Sequence, residues 1–195
     1  MNKERKHLRL TYWDYSSEGV YFITICCQNR HSFLGKIEDN EMILSEIGLI
    51  ASKYWLEISN HFLHVKLDEF VVMPNHIHGI LILDYSLVGT RHGVSIQSSS
   101  SENVGSCHGM TLPSNQESNQ NTNQFSKPVK NSISVIINQY KSSVKRWCNQ
   151  NGSYHFRWQA KFYDQILHNE NSIDMIREYI CTNPKNWIED ELYIY

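Results

Sequence analysis

"FVVMPNHIHGILIL", residues 70–83, is apolar and β-branched almost throughout, yet it carries two histidines, His76 and His78, with one isoleucine between them. Pro74-Asn75 interrupts the run. It therefore reads as two strands, "HVKLDEFVVM" and "HIHGILIL", paired as a hairpin across a short connection. Residues two apart on a strand share a face. His76 and His78 project together, and Ile77 and Gly79 point to the opposite side. Two neutral imidazoles on one sheet face can hold a divalent cation and leave positions free for substrate. The same pair can also lie on a half-exposed sheet face and bind nothing. Neither the HExxH of a helical zinc protease nor the PCxxC of a zinc deaminase occurs in the chain.

Working outward from the hairpin, "GVYFITICCQNR" (residues 19–30) predicts a strand closed by a polar turn. "EMILSEIGLIASKYWLEISNHF" (41–62) places Ile47, Ile50, Ala51, Tyr54, Trp55 and Ile58 at spacings of three and four, which predicts an amphipathic helix. After the hairpin, residues 89–127 are rich in Ser, Asn and Gln and poor in large apolar side chains. Such a segment cannot bury enough surface to offset its ordering entropy, so it reads as a disordered insertion. Order resumes at "NSISVIINQYKSSVKRWCNQ" (131–150), where Ile133, Ile136, Ile137, Tyr140, Val144 and Trp147 form one helical stripe. "YHFRWQAKFYDQILHN" (154–169) reads as extended. "NSIDMIREYICTN" (171–183) reads as a short helix, capped by Asn171 or Ser172, with Asp174 in its first turn and Pro184 to stop it. The order is strand, helix, strand, strand, helix, strand, helix. The first six elements match an α+β, ferredoxin-like split βαβ sandwich. Its antiparallel sheet would carry helices on one face and leave the other open for a ligand.

The 195 residues fit a single domain with an insertion: a basic arm over 1–18, a domain assembled from 19–88 and 128–195, and the polar segment 89–127 between. With 41% hydrophobic residues and a net charge of −2, the chain can fold alone and is not generally basic. Any nucleic-acid binding must come from local patches. Lys141 and Lys145 stand one turn apart beside Arg146, and Arg157-Trp158 offers a cation next to a stacking plane. Lys3, Arg5, Lys6 and Arg9 would make a basic arm. Each group has a plainer reading: a solvated helix face, a core tryptophan, a solubilising tail. The five cysteines are odd in number and form no CxxC, which suits a reducing cytoplasm. No secretory signal or membrane-length apolar run is evident in the sequence.

The histidine–hydrophobic–histidine of "FVVMPNHIHGILIL", with "WQAKFYDQILHNE" and "YICTNP" downstream, resembles the HUH motif and its surroundings in the single-tyrosine transposases. "MPNH" and the two downstream stretches are most similar to the REP-associated tyrosine transposases, relatives of bacterial insertion-sequence enzymes. The likeness runs from about Tyr21 to Trp187, apart from the insertion. It implies Tyr179 as the nucleophile, and that residue lies at the margin of the stripe formed by Ile173, Ile176 and Ile180. Tyr163 is the second choice, because it too can face the sheet. The resemblance also implies a Mg²⁺ or Mn²⁺ ion held by His76 and His78, with Asn183, one turn past Tyr179, as a third ligand. Relatives of the insertion-sequence type usually have Gln there, and Pro184 disfavours helical geometry at Asn183.

The function implied is metal-dependent cleavage and rejoining of single-stranded DNA through a 5′-phosphotyrosine, in the bacterial cytoplasm at the nucleoid. The substrate class would be an imperfect-palindrome hairpin beside a single-stranded tag. The protein would act as a monomer or as a homodimer. The competing reading is a catalytically silent ferredoxin-like protein that binds DNA or RNA through exposed aromatics of the strand "VYFITICC".

Overall fold

The computed structural model describes residues 14–89 and 129–193. The basic arm with Arg5 and Arg9, and nearly all of the polar insertion, lie outside the described residues.

Strand β1 (Gly19–Cys26) is followed by a small hairpin, β2 (Gly35–Glu38) and β3 (Glu41–Leu44). Helix α1 (Glu46–Leu56) and the single turn α2 (Ile58–His61) come next, then β4 (Val65–Val72), β5 (His76–Leu83) and the short α3 (Ser86–Gly89). Helix α4 (Ile133–Gln150), β6 (Tyr163–Leu167) and α5 (Glu170–Thr182) complete the order. The main sheet runs β4-β5-β1-β6, antiparallel throughout. This is the ferredoxin-like α+β arrangement expected from the element order.

The two faces of the sheet differ in what covers them. Tyr21, Ile23, Ile25, Ile77 and Leu81 are fully buried and join Ala51 and Trp55 of α1 and Ile133, Ile136, Ile137 and Val144 of α4 in one core. Gly79 belongs to this face because Trp55 lies directly beneath it: a Cβ at Gly79 would fall 2.3 Å from Trp55 Cζ2. The opposite face was expected to stay open. Instead α5 lies across it, tied to β4 by Arg177, whose Nε and Nη2 reach the two oxygens of Asp68 at 3.1 and 2.6 Å. Asp68 sits in the β-bulge between Leu67 and Phe70. A bulge turns its side chains out of the regular alternation, and this one aims a carboxylate at the helix.

Three local readings are corrected. The helix predicted from residue 41 begins at Glu46, where Ser45 Oγ accepts from the Gly48 amide at 3.1 Å. Residues 41–44 are strand because Asp39 and Asn40 both take positive φ, 50° and 64°, which is the two-residue turn that matches strand twist. Helix α5 is capped by Asn169, not by Asn171 or Ser172. Asn169 Oδ1 accepts from the Ser172 amide at 2.8 Å, and Ser172 Oγ returns to the Asn169 backbone. Within the 154–169 stretch, strand is confined to β6 and a single bridge, Cys27 with Trp158.

His64 bonds both the segment after β5 and the segment before α4. The Asp84 amide donates to the His64 carbonyl at 2.8 Å, and His64 Nε2–H donates to the Asn131 carbonyl at 3.3 Å. Tyr85 stacks flat on the His64 ring, with centroids 4.8 Å apart. Among the described residues no helix is long and apolar enough to cross a membrane.

Candidate active site

The register of the sheet places the two histidines. Thr24 pairs with His78 and Cys26 with His76 across β1 and β5, so these four side chains share a face. The rings of His76 and His78 lie edge to face with centroids 4.3 Å apart. Neither lies on the half-exposed face of the non-binding alternative: His76 is 0% and His78 3% accessible, beneath α5 and the segment that follows it. Phe22 stacks on His78 and Trp187 lies against His76.

Burial sets the charge state of both rings. It pulls His76 well below the usual histidine value, with the neighbouring His78 and Arg30 acting in the same direction. It lowers His78 to about 4, opposed in part by Asp190. Both are neutral imidazoles at pH 7, the form that binds metal.

The hydrogen bonds of the turn fix the His76 tautomer. Asn75 Nδ2 donates to the Leu192 carbonyl at 2.8 Å, which leaves Asn75 Oδ1 facing His76 Nδ1, also at 2.8 Å. An amide oxygen only accepts, so Nδ1 carries the proton and Nε2 is a bare lone pair. That Nε2 is buried and has no hydrogen-bond partner. His78 Nδ1 lies 2.8 Å from Thr24 Oγ1. A hydroxyl donates or accepts, so Thr24 supports either tautomer of His78.

Tyr179, on α5, closes the site. Its hydroxyl is 3.2 Å from His78 Nε2 and donates to Asp190 Oδ2 at 3.1 Å. Its ring meets Phe22 edge-on, and 40% of the residue remains accessible, so the phenol stands at the mouth of the site and not in the core. Burial, then the charge and hydrogen bond of Asp190, raise its pKa to about 12. Tyr163 shares the sheet face through its pairing with Thr24. It lies on β6, two strands from β5, which is about 10 Å at the usual strand spacing.

Asn183 is buried at the C-cap of α5 with φ −54° and ψ −42°. Packing and capping thus override the bias that Pro184 imposes on it. Its Nδ2 donates to Asp190 Oδ2 at 2.9 Å, and its Oδ1 is buried without a partner. Asp190, which sequence reasoning did not single out, follows a short 3-10 turn, Trp187–Glu189. Ligand atoms of His76, His78 and Asp190 all lie within 4.8 Å of one another. Cys26 faces the same side, where burial pushes its thiol up to about 11 and keeps it neutral.

The basic residues proposed from sequence lie elsewhere, around an open groove between α4 and the loop before β6. Lys141 is buried, and its ammonium donates to the carbonyls of Gln159 and Ala160 at 2.6 and 3.1 Å. Lys145 donates to Tyr154 and Phe156 at 3.1 and 2.8 Å. Both lysines hold the loop in place, so the free helix face imagined for them is reduced to the exposed Arg146. Arg157 bonds the carbonyls of Tyr154 and Phe156. Trp158 packs edge-on against Phe156 at the margin of the core, and both Arg157 and Trp158 line the groove with Arg146.

No protein-family model matches the chain. An uncharacterized protein of Haemophilus influenzae (strain Rd) is 33% identical over 190 residues, 97% of this chain and 93% of its own length. The chain belongs to the same family as that protein. Among solved structures, a REP-associated tyrosine transposase bound to a REP hairpin superposes with a TM-score of 0.53, over 92% of this chain and 74% of that one, at 16% identity. The chain shares the fold of that protein. A candidate transposase of Deinococcus radiodurans covers 92% of this chain and 95% of its own at a TM-score of 0.40 and 14% identity, too distant to carry weight. On this fold, one chain supplies both histidines and the tyrosine that contacts His78.

Proposed function

We propose that the protein cleaves and rejoins single-stranded DNA through a covalent bond to Tyr179, with Mg²⁺ or Mn²⁺ held by His76 and His78. The observation that carries this reading is the 3.2 Å approach of the Tyr179 hydroxyl to His78 Nε2, beside a His76 Nε2 that is buried, deprotonated and without a partner. A silent binding module has no use for such a lone pair. The donors at the site, two imidazoles with amide and carboxylate oxygens near them, fit a hard divalent ion. When bound, the ion supplies Lewis-acid polarisation of a phosphate oxygen.

The rest is done by the chain. Tyr179 enters as a neutral phenol, because its pKa is raised to about 12. It loses its proton as Oη forms a bond to phosphorus, and the P–O3′ bond breaks. The departing 3′ oxygen takes up one proton, and the 5′ phosphate remains on Tyr179. A second 3′-hydroxyl reverses the step and joins new ends, without ATP. Thr24 and Asn75 hold the two imidazoles in orientation throughout. The REP-associated tyrosine transposase solved with a REP hairpin supports a hairpin DNA as substrate, and the motif resemblance adds a flanking single-stranded tag. Arg146, Arg157 and Trp158 would take its backbone and bases in the α4 groove, and Arg5 and Arg9 would follow the strand.

The test is to incubate the protein with hairpin oligonucleotides bearing single-stranded flanks and Mn²⁺, then to look for a denaturation-resistant protein–DNA adduct. Wild type and Tyr163→Phe should form it; Tyr179→Phe should not, while still binding the DNA. If Tyr163→Phe loses the adduct and Tyr179→Phe keeps it, the nucleophile is misassigned. If both keep it, tyrosine chemistry of this kind is excluded.

A further inference from the structure

We infer that Asp190, and not Asn183, is the oxygen ligand that completes the metal site. This rests on the reading that His76 and His78 hold the ion, and adds to it a residue from the chain's C-terminal segment. The argument is one of donors and geometry. Asp190 offers a carboxylate whose ligand atom lies within 4.8 Å of those of both histidines. Atoms that mutually close are near the span of a single coordination shell, in which hard ions keep ligands at about 2.0–2.3 Å. His76 Nε2 is fully buried and unpartnered, which points to a ligand beside it.

Asn183 also has a buried, unpartnered Oδ1, but its Nδ2 is turned to the carboxylate. Its amide N–H donates to Asp190 Oδ2 at 2.9 Å, and the Leu192 amide donates to Oδ1 at 2.6 Å. These two donors fix the carboxylate in the manner of groups that orient a ligand from behind. Charge favours the same assignment. Two neutral imidazoles and a neutral amide leave a divalent ion uncompensated in a buried site, whereas one carboxylate halves its charge. Asp190 is also held where the peptide can bring it: Asn75 grips the Leu192 carbonyl, and Arg30 donates to the Glu191 carbonyl at 3.0 Å. The same Asn75 that sets the His76 tautomer therefore anchors the segment carrying the third ligand.

The experiment is Mn²⁺ binding to the full-length chain, read from the free-ion electron paramagnetic resonance signal, without DNA and without any activity readout. Asp190→Asn should weaken binding at least tenfold, and Asn183→Ala should weaken it less. His76→Ala/His78→Ala should abolish it. If Asp190→Asn binds as wild type does while the double histidine variant does not, the inference fails and the proposed function stands. If the double variant also binds as wild type does, the metal reading of the histidines fails with it. If Asn183→Ala loses more affinity than Asp190→Asn, the two roles are reversed and the inference fails. Should Asp190→Asn unfold early in the absence of metal, a crystal of the wild-type chain soaked in Mn²⁺ decides. An Asp190 oxygen within about 2.3 Å of the ion sustains the assignment. An ion on the histidines with Asp190 still bonded to Tyr179 overturns it.

Discussion

Asn75 makes two contacts at once, and both bear on His76. Removing it frees the imidazole to take the wrong tautomer and releases the Leu192 carbonyl. Asn75→Ala should therefore lower Mn²⁺ affinity by about 10- to 100-fold, the range typical of groups that orient a metal ligand. Unchanged affinity in a titration would refute the tautomer argument. The histidines also predict a pH dependence. Both have folded pKa values below the ordinary 6.5, so the unfolded chain binds protons there that the folded chain does not. The stabilisation is complete above about pH 6.5 and is lost as pH falls toward 4, with His78 alone accounting for on the order of 3 kcal/mol. Metal-free protein should show a flat unfolding midpoint from pH 7 to 8 and a steep fall below 6; a midpoint unchanged at pH 5 would show that the rings are not held neutral by burial. The histidines and the tyrosine were legible in the sequence because a strand period and a motif mark them. Asp190 was not, since a lone aspartate in a polar stretch carries no signal. Asn75 stood in plain view, but its partner Leu192 lies 117 positions away, a distance that local pattern cannot bridge.

The site is only as well placed as the two elements that carry it, β5 and α5. Strand β5 is held from below by the fit of Gly79 over Trp55. Gly79→Ala forces the indole to move, and overpacking of this kind costs about 1–3 kcal/mol. Chemical denaturation should register that loss together with weaker metal binding, since His78 is the adjoining residue. Helix α5 is held by the paired contact of Arg177 with Asp68. Arg177→Ala should leave the fold intact but let Tyr179 drift, and a displacement of about 1 Å can cost some 100-fold in rate. Single-turnover adduct formation should slow by at least tenfold, with DNA affinity unchanged; an unaltered rate would show that the helix is positioned by its apolar face alone. The strong periodicities, those of β1, β5, α1 and α4, were readable. The β2–β3 hairpin was lost because Met42 and Ile43 fit a helical stripe as well as a strand, and the Asp39-Asn40 turn that decides the matter was passed over. The covered face was missed for another reason: nothing in the spacing of α5 says which side of the sheet it docks against.

At the level of the molecule, the tyrosine and the histidines belong to the same chain. Mixing Tyr179→Phe protein with His76→Ala/His78→Ala protein should therefore restore no adduct, whereas a site shared between subunits would be rebuilt in the mixture. The element order was sufficient to give the sheet, because split βαβ connections leave few topologies open. The polar composition of residues 89–127 reads as an insertion, and nearly all of that stretch lies outside the described residues. His64 bonds Asp84 just after β5 and Asn131 just before α4, so one residue ties together the two described stretches of the chain. Replacing 90–128 with a short Gly/Ser linker should preserve adduct formation, and loss of the adduct would show that the segment contributes to the DNA groove. That double grip on one histidine makes the locus a socket. A fluorescent protein, an affinity peptide or a programmable DNA-targeting module could be plugged in between Gly89 and Val129, on a scaffold whose candidate site draws on residues from both sides of that locus.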